Sequence, residues 1–377
     1  MEVAAALSEH PLATQAVGET VGQVLDELGA APDLVVLFVT GPHLGAMEDI
    51  ATAVRRLLNP RVLLGAGAVS VLAGSQEVED RPGLVVWAAR FGVDIVPVRL
   101  EAVPSAEGTL VAGGASLNSG SGTLLLLSDP FSFPVELLVD HLAEAAPGIE
   151  IVGGLASAAR APGGNVLVLD DERFRDGAVG VHLPPSVPVR AVVSQGCRPI
   201  GQPLVVTRSE GNVIYELAGK PAVERLEELV ASLTPEERML LGGGLHLGRV
   251  IDEHRVEFGR GDFLIRGVLG ADRSVGALAV GDHVELGAVV QFQVRDAASA
   301  DEDLRLLLDG EAARGALVFT CNGRGSHLFG EPGHDAEVVS ELTGAAVGGM
   351  FCAGEVGPVG GRSFVHGFTA SIALFGG

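Results

Sequence analysis

The chain has 377 residues, with 48 Asp and Glu against 25 Lys and Arg, and its formal charge of −23 repels nucleic-acid phosphates and anionic lipid headgroups. Lys220 is the sole lysine, so no polybasic segment offsets that repulsion, and neither a nucleic-acid partner nor membrane binding is expected. Hydrophobic residues make up 47% of the chain, yet no run of about 20 apolar residues suited to a membrane span occurs. At roughly 100–200 residues per domain, the length predicts two or three domains with full cores.

Taken in chain order, one arrangement of elements recurs. Leu34, Val35, Val36, Leu37, Phe38 and Val39 read as a buried strand, and Pro42 opens a helix with Met47, Ile50, Ala51, Val54, Leu57 and Leu58 on one face. Pro60 ends that helix, Val62, Leu63 and Leu64 form a second strand, and Gly65 and Gly67 follow. A hairpin through Val71 and Leu72 is expected to return along Leu84, Val85, Val86 and Trp87. Residues 108–122 are rich in Gly, Ser and Asn and read as a loop that runs into the next strand. The second unit has its strand at Thr123 to Leu127, its helix opening at Pro134 and ending at Pro147, and its glycine pair at Gly153 and Gly154. Its hairpin is expected from Asn165–Leu169 back through Gly177–Val181. A third lies at the C-terminus, with a strand from Ala316 to Thr320, a helix near Asp335–Leu342, and Gly348 and Gly349. Its hairpin is expected to leave through 349–353 and return through 368–375. The offsets from strand to glycine agree: 30 from Val35 to Gly65, 29 from Leu124 to Gly153 and 31 from Leu317 to Gly348. A fainter fourth copy has a strand at Val213–Tyr215, a helix from Pro221 and glycines at Gly242–Gly244.

These units predict an α+β (α/β-like) fold with mixed sheets covered by helices, in two domains, 1–193 and 194–377. The glycine pairs mark strand ends where backbone approaches a ligand or another strand closely.

Chemistry-bearing residues concentrate at the third unit. Cys321, Asn322, Arg324 and Gly325 follow its first strand, and Gly349, Phe351 and Glu355 lie on and after its second. Arg324 offers a planar fork for a carboxylate and Glu355 an acceptor for an ammonium group, so the pair suits an amino acid or similar zwitterion; the alternative is that the two bind each other. His366 and Thr369, after Glu355, add polar contacts to the same region. Cys321 beside Arg324 and His327 also allows a cysteine-dependent acyl or amide transferase or hydrolase, although no acid is placed to orient His327. Phosphate-loop and nucleophile-elbow motifs do not occur, and Gly65-Ala66-Gly67-Ala68-Val69-Ser70 lacks the last glycine of a dinucleotide loop. The histidine spacings, such as His246 with His254 or His327 with His334, do not form metal-ligand pairs, so neither metal nor cofactor is expected. Three cysteines, Cys197, Cys321 and Cys352, without a CxxC pair and without a secretory leader at Met1–Ala6, fit reduced thiols in a cytoplasmic protein.

With these residues in view, the chain resembles the FIST family, sensory domains of intracellular signal transduction. Pro32–Phe38, Gly65–Ala68, Glu77-Val78-Glu79 and Gly153-Gly154 are similar to its N-terminal domain, although Gly65-Ala66-Gly67-Ala68 stands where the family carries Gly-Cys-Ser-Ala. Gly196–Gly201, Glu216–Ala222, Cys321–Gly325 and Gly354–Pro358 are similar to its C-terminal domain. The resemblance implies a signalling module that binds small ligands such as amino acids and is often coupled to an output domain; the leading expectation is a small polar metabolite near Arg324 and Glu355 that shifts the packing of the two domains, with output through a separate protein. A ligand-free interaction scaffold is the remaining alternative.

Overall fold

The computed structural model describes residues 1–377 except 107, 115, 116, 118, 119, 252–257 and 260. Ser116, Asn118 and Ser119 of the expected loop, and His254, therefore lie outside the described residues. Two compact units are present: Met1–Val193 together with Leu304–Gly377, and Ser194–Asp303.

The chain opens with β1 (Glu2–Ser8), α1 (Ala13–Glu27), β2 (Leu34–Thr40), α2 (Gly41–Leu44), α3 (Met47–Leu58), β3 (Val62–Ala68), β4 (Val71–Ala73), β5 (Gln76–Val78) and β6 (Leu84–Arg90). It continues through β7 (Val96–Ser105), β8 (Gly108–Ala112), β9 (Ser121–Ser128), α4 (Val135–Ala145), β10 (Gly148–Leu155), β11 (Leu167–Leu169), β12 (Glu172–Phe174), β13 (Ala178–Leu183) and β14 (Val189–Gln195). The second unit contributes β15 (Cys197–Pro199), β16 (Leu204–Glu210), β17 (Val213–Leu217), β18 (Lys220–Pro221), α5 (Ala222–Ser232), α6 (Pro235–Leu240), β19 (Leu245–Val250), β20 (Phe263–Asp272), β21 (Ala277–Val280) and β22 (Val289–Arg295), and α7 (Ala297–Leu308) follows. Last come β23 (Gly315–Cys321), α8 (Ser326–Phe329), α9 (His334–Thr343), β24 (Ala346–Cys352), β25 (Glu355–Val359), β26 (Arg362–His366) and β27 (Thr369–Phe375).

The first unit contains three sheets of one topology. Their strand orders are β1-β6-β2-β3-β11-β12, β8-β7-β13-β9-β10-β25-β26 and β14-β27-β23-β24-β4-β5. In each, two neighbouring strands run parallel, β2 with β3, β9 with β10 and β23 with β24, and a helix joins them, as a parallel connection requires. A third strand, β6, β13 or β27, then runs antiparallel beside the first. Each sheet ends in a short hairpin borrowed from another stretch. β11–β12 joins β3, β25–β26 joins β10, and β4–β5 joins β24, so the three exchanges close a cycle.

This corrects the hairpins expected from the sequence. Trp87, Val179 and Ile372 lie on strands that pair with the first strand of their own unit, while the tight hairpin after each glycine strand goes to a different sheet. Crossing demands close approach, and glycine supplies it: a Cβ at Gly154 would stand 2.2 Å from the Cys352 Sγ. Backbone bonds tie the strand ends together, Phe351 N–H donating to the Ser70 carbonyl at 2.9 Å and Ala353 N–H to that of Leu155 at 3.0 Å.

The same exchange explains how the units differ from the expected division into 1–193 and 194–377. Phe38, Trp87 and Leu125 share one core with Phe319, Met350 and Phe375, so residues 304–377 pack with the first unit. The second unit is an antiparallel barrel that closes on itself, β16-β17-β21-β20-β19-β22, with β22 also pairing with β16. Its presence overturns the fourth copy, because β17 and β19 do not pair with each other. Residues 108–112 form β8, paired antiparallel with β7, where a loop was expected.

Local sequence accounts for the helices. On α3 the buried residues are Met47, Ile50, Ala51, Val54 and Leu58; Glu48 and Asp49 lie at its N-terminus and Arg55 and Arg56 at its C-terminus, matching the helix dipole. Asn59 closes it in the left-handed region at φ 49°, and Pro60 prevents its continuation.

Candidate functional site

Strand β23 is buried along its whole length, so the polar residues at its C-terminal end must find partners inside the protein. Arg324, 1% exposed, turns back to Asp335 in the first turn of α9: its Nε donates to Oδ2 and its Nη2 to Oδ1, each at 2.8 Å. Thr320 Oγ1 donates to Asp335 Oδ2 at 2.6 Å, and His334 Nδ1 lies 3.0 Å from Oδ1 while its ring stacks on Phe329. Burial disfavours the charge on Asp335, but Arg324 outweighs it and holds the carboxyl well below the usual carboxylate range.

The borrowed hairpin β4–β5 secures this end of the sheet. Glu77 accepts from the backbone N–H groups of Gly333 (2.8 Å), Asp335 (2.9 Å) and Ala336 (3.1 Å), which are donors the N-terminus of α9 leaves unpaired. Burial, with Asp335 nearby, pushes its carboxyl up to about 7. Glu79 holds the Ser326 N–H at 2.9 Å and its hydroxyl at 2.5 Å. Gly325 sits at φ 56°, and a Cβ there would lie 2.5 Å from Glu79 Oε1 and 2.8 Å from Phe351 Cε1.

Glu355 opens β25 opposite Gly154 and is 0% exposed. Its Oε2 takes both donors of Thr369, the backbone N–H at 3.2 Å and Oγ1 at 2.8 Å. Burial pushes this carboxyl up to about 8, against the Thr369 bonds, the Arg324 charge and the adjacent Cys321 thiol. Beside it, Cys321 and Cys352 are register partners on β23 and β24. Burial and the neighbouring Glu355 push the Cys321 thiol up to about 12, although the backbone N–H groups of Gly323 and Phe368 point at its sulfur. Phe368 holds that position at φ 63°, a conformation bulky residues rarely adopt.

Arg324 and Glu355 therefore neither bind each other nor offer a free fork and a free carboxylate. Two atoms of the pair are left over: among the described residues, Arg324 Nη1 and Glu355 Oε1 are buried without a hydrogen-bond partner. Cys321, Glu355, His366 and Thr369 come together, His366 standing opposite Glu355 in register with its Nε2 3.0 Å from the Gly357 carbonyl oxygen. Phe351 packs beside Gly325; Asn322 is exposed, and Gly349 serves close strand approach. The charge partners Asp335, Glu77 and Glu79 were not legible as such. Asp335 stood in the sequence only as a helix residue, and the carboxylates of the hairpin reach the site through tertiary pairing.

No described helix is long and apolar enough to cross a membrane, and no group of three His, Cys, Asp or Glu among the described residues is placed to hold a metal ion. Comparison with known proteins gives a match to the FIST N domain over residues 33–220 and to the FIST C domain over residues 222–358. An uncharacterized protein of Mycobacterium bovis is 45% identical over 383 aligned residues, covering 100% of this chain and 99% of the relative. One from Mycobacterium tuberculosis is 44% identical and is covered over 100% of both chains.

Proposed function

Since the chain belongs to the FIST family of signal-transduction sensory domains, we propose that it is a cytoplasmic sensor that binds a small polar metabolite, an amino acid or a similar compound, at the Arg324–Glu355 cluster. The observation that carries this reading is a pair of buried polar atoms, Arg324 Nη1 and Glu355 Oε1, that have no hydrogen-bond partner among the described residues. Unpaired buried polar groups cost about 1–3 kcal/mol each, and a ligand that supplies the missing partners recovers that cost. Binding there bears on α9, β25 and the hairpin β4–β5 at once, which gives occupancy a route into the strand exchange. Output then passes to a separate signalling protein. Cys197, Cys321 and Cys352 are buried and outside any disulfide, which suits a reducing compartment. A thiol held at about 12 is a poor nucleophile at neutral pH, so the cysteine-transferase alternative lacks support.

A thermal-shift screen against amino acids, small carboxylates and amines tests the reading. A ligand at 100 times its Kd adds about 2.7 kcal/mol, a rise of several degrees in Tm that should vanish in Arg324→Lys or Glu355→Leu. No variant-sensitive shift across the panel would overturn it.

A further inference from the structure

We propose that the chemical group this site recognises is a carboxylate, gripped between Arg324 Nη1 and a protonated Glu355 Oε1; the assignment rests on the ligand-binding reading above. An arginine nitrogen can only donate. At Glu355 both Thr369 donors fall on Oε2, so a proton on this carboxyl belongs on Oε1, the oxygen left without a partner among the described residues. The surroundings favour that proton. Cys321 on β23 and Cys352 on β24 are thiols, both pushed above their ordinary values by burial. His366 on β26 turns its Nε2 to the Gly357 carbonyl oxygen. The Arg324 charge is already matched by Asp335 at two contacts of 2.8 Å. With Arg324 committed to Asp335 and Glu355 0% exposed, the charged form of this carboxyl is costly.

The leftover pair is therefore two donors, and an anion with two acceptor oxygens satisfies both. An ammonium group would meet the Arg324 cation and would require Glu355 to give up its proton inside the core. Arg324 is 1% exposed, so a ligand reaches it only when the groups that cover it move aside.

Calorimetric titration of the 377-residue chain with propionate and, separately, ethylammonium, from pH 6.5 to 9.5, distinguishes the cases. Propionate should bind at neutral pH, with Kd rising about tenfold per pH unit above about 8, where Glu355 loses its proton. Glu355→Gln, which offers an N–H donor that does not titrate, should keep propionate binding and flatten this dependence. If ethylammonium binds instead, tightens as pH rises and is lost in Glu355→Gln, the carboxylate assignment is overturned while the ligand reading stands. Binding of neither ion also overturns the assignment. The ligand reading falls with it only if the wider panel yields no compound whose effect depends on Arg324 or Glu355, in which case a buried water satisfies both atoms.

Discussion

Replacement of Asp335 by Asn isolates the electrostatics that the site depends on. Asp335 is 0% exposed and engages four groups: Arg324 Nε and Nη2 at 2.8 Å each, Thr320 Oγ1 at 2.6 Å and His334 Nδ1 at 3.0 Å. Asparagine keeps the shape but supplies one acceptor oxygen instead of two and removes the charge that neutralises Arg324. A buried guanidinium without its counter-ion costs about 3–5 kcal/mol. Thr320→Val, which removes one neutral donor to the same carboxylate, should cost about 1–2 kcal/mol and so provides a graded comparison. The chain's single tryptophan makes the measurement specific: Trp87 is 0% exposed, its Nε1 donates to the Ala346 carbonyl at 3.0 Å, and it lies in the same unit. Urea unfolding at pH 7, followed by Trp87 fluorescence, should show the Asp335→Asn loss with an unchanged m-value. A loss below about 1 kcal/mol, the scale of an exposed ion pair, would refute the reasoning, because Arg324 would then not depend on Asp335. The pH dependence has a definite sign. Because the folded-state pKa is depressed, the Asp335 contribution is present above its ordinary value of 3.8 and is lost as pH falls through the folded pKa.

Glu355 carries the opposite sign: with a folded-state pKa of about 8 against 4.5, it favours folding below about pH 4.5, and that contribution is lost as pH rises through about 8. Glu355→Gln should therefore reduce the alkaline loss of stability seen by Trp87 fluorescence, and an unaltered pH profile would contradict a neutral buried carboxyl. Cys321 should react with iodoacetamide at pH 7 at least about a hundredfold more slowly than an ordinary free thiol, as peptide mapping after timed labelling would show; fast labelling would revive the nucleophile alternative. Gly325→Ala places a Cβ 2.5 Å from Glu79 Oε1 at φ 56° and should cost about 1–3 kcal/mol in urea unfolding. A neutral result would mean that Glu79 and the turn move freely.

Much of the first unit was legible because its central strands are buried on both faces and read as continuous apolar runs. Leu34–Thr40 and Gly315–Cys321 are buried at every position. The helices between parallel strands carry their own punctuation, Pro60 after α3 and Pro134 before α4. The opening strand and helix were harder to see. Four of the seven residues of β1 are Val3, Ala4, Ala5 and Ala6, weak strand formers apart from the valine, and α1 has no side-chain cap and contains Gly18 and Gly22. Hairpin exchange leaves no local trace at all, since the choice of partner is tertiary: Ala73 pairs with Gly348, and nothing near either residue encodes the other. The same limit applied at the site. Arg324 and Glu355 stood out by residue type, but the carboxylate that neutralises Arg324 comes from the start of α9 and the one that holds α9 comes from β5. What the residue types suggested as a free fork is a fork already two-thirds engaged, and the chemistry left over is one guanidinium nitrogen and one carboxyl oxygen.

The most direct measurement is a crystal structure of the chain grown with the best-scoring small molecule from the thermal-shift panel. Density for that molecule is expected with polar atoms within hydrogen-bond distance, about 3 Å, of both Arg324 Nη1 and Glu355 Oε1. A lone water bridging those two atoms, with the molecule bound elsewhere, would contradict it.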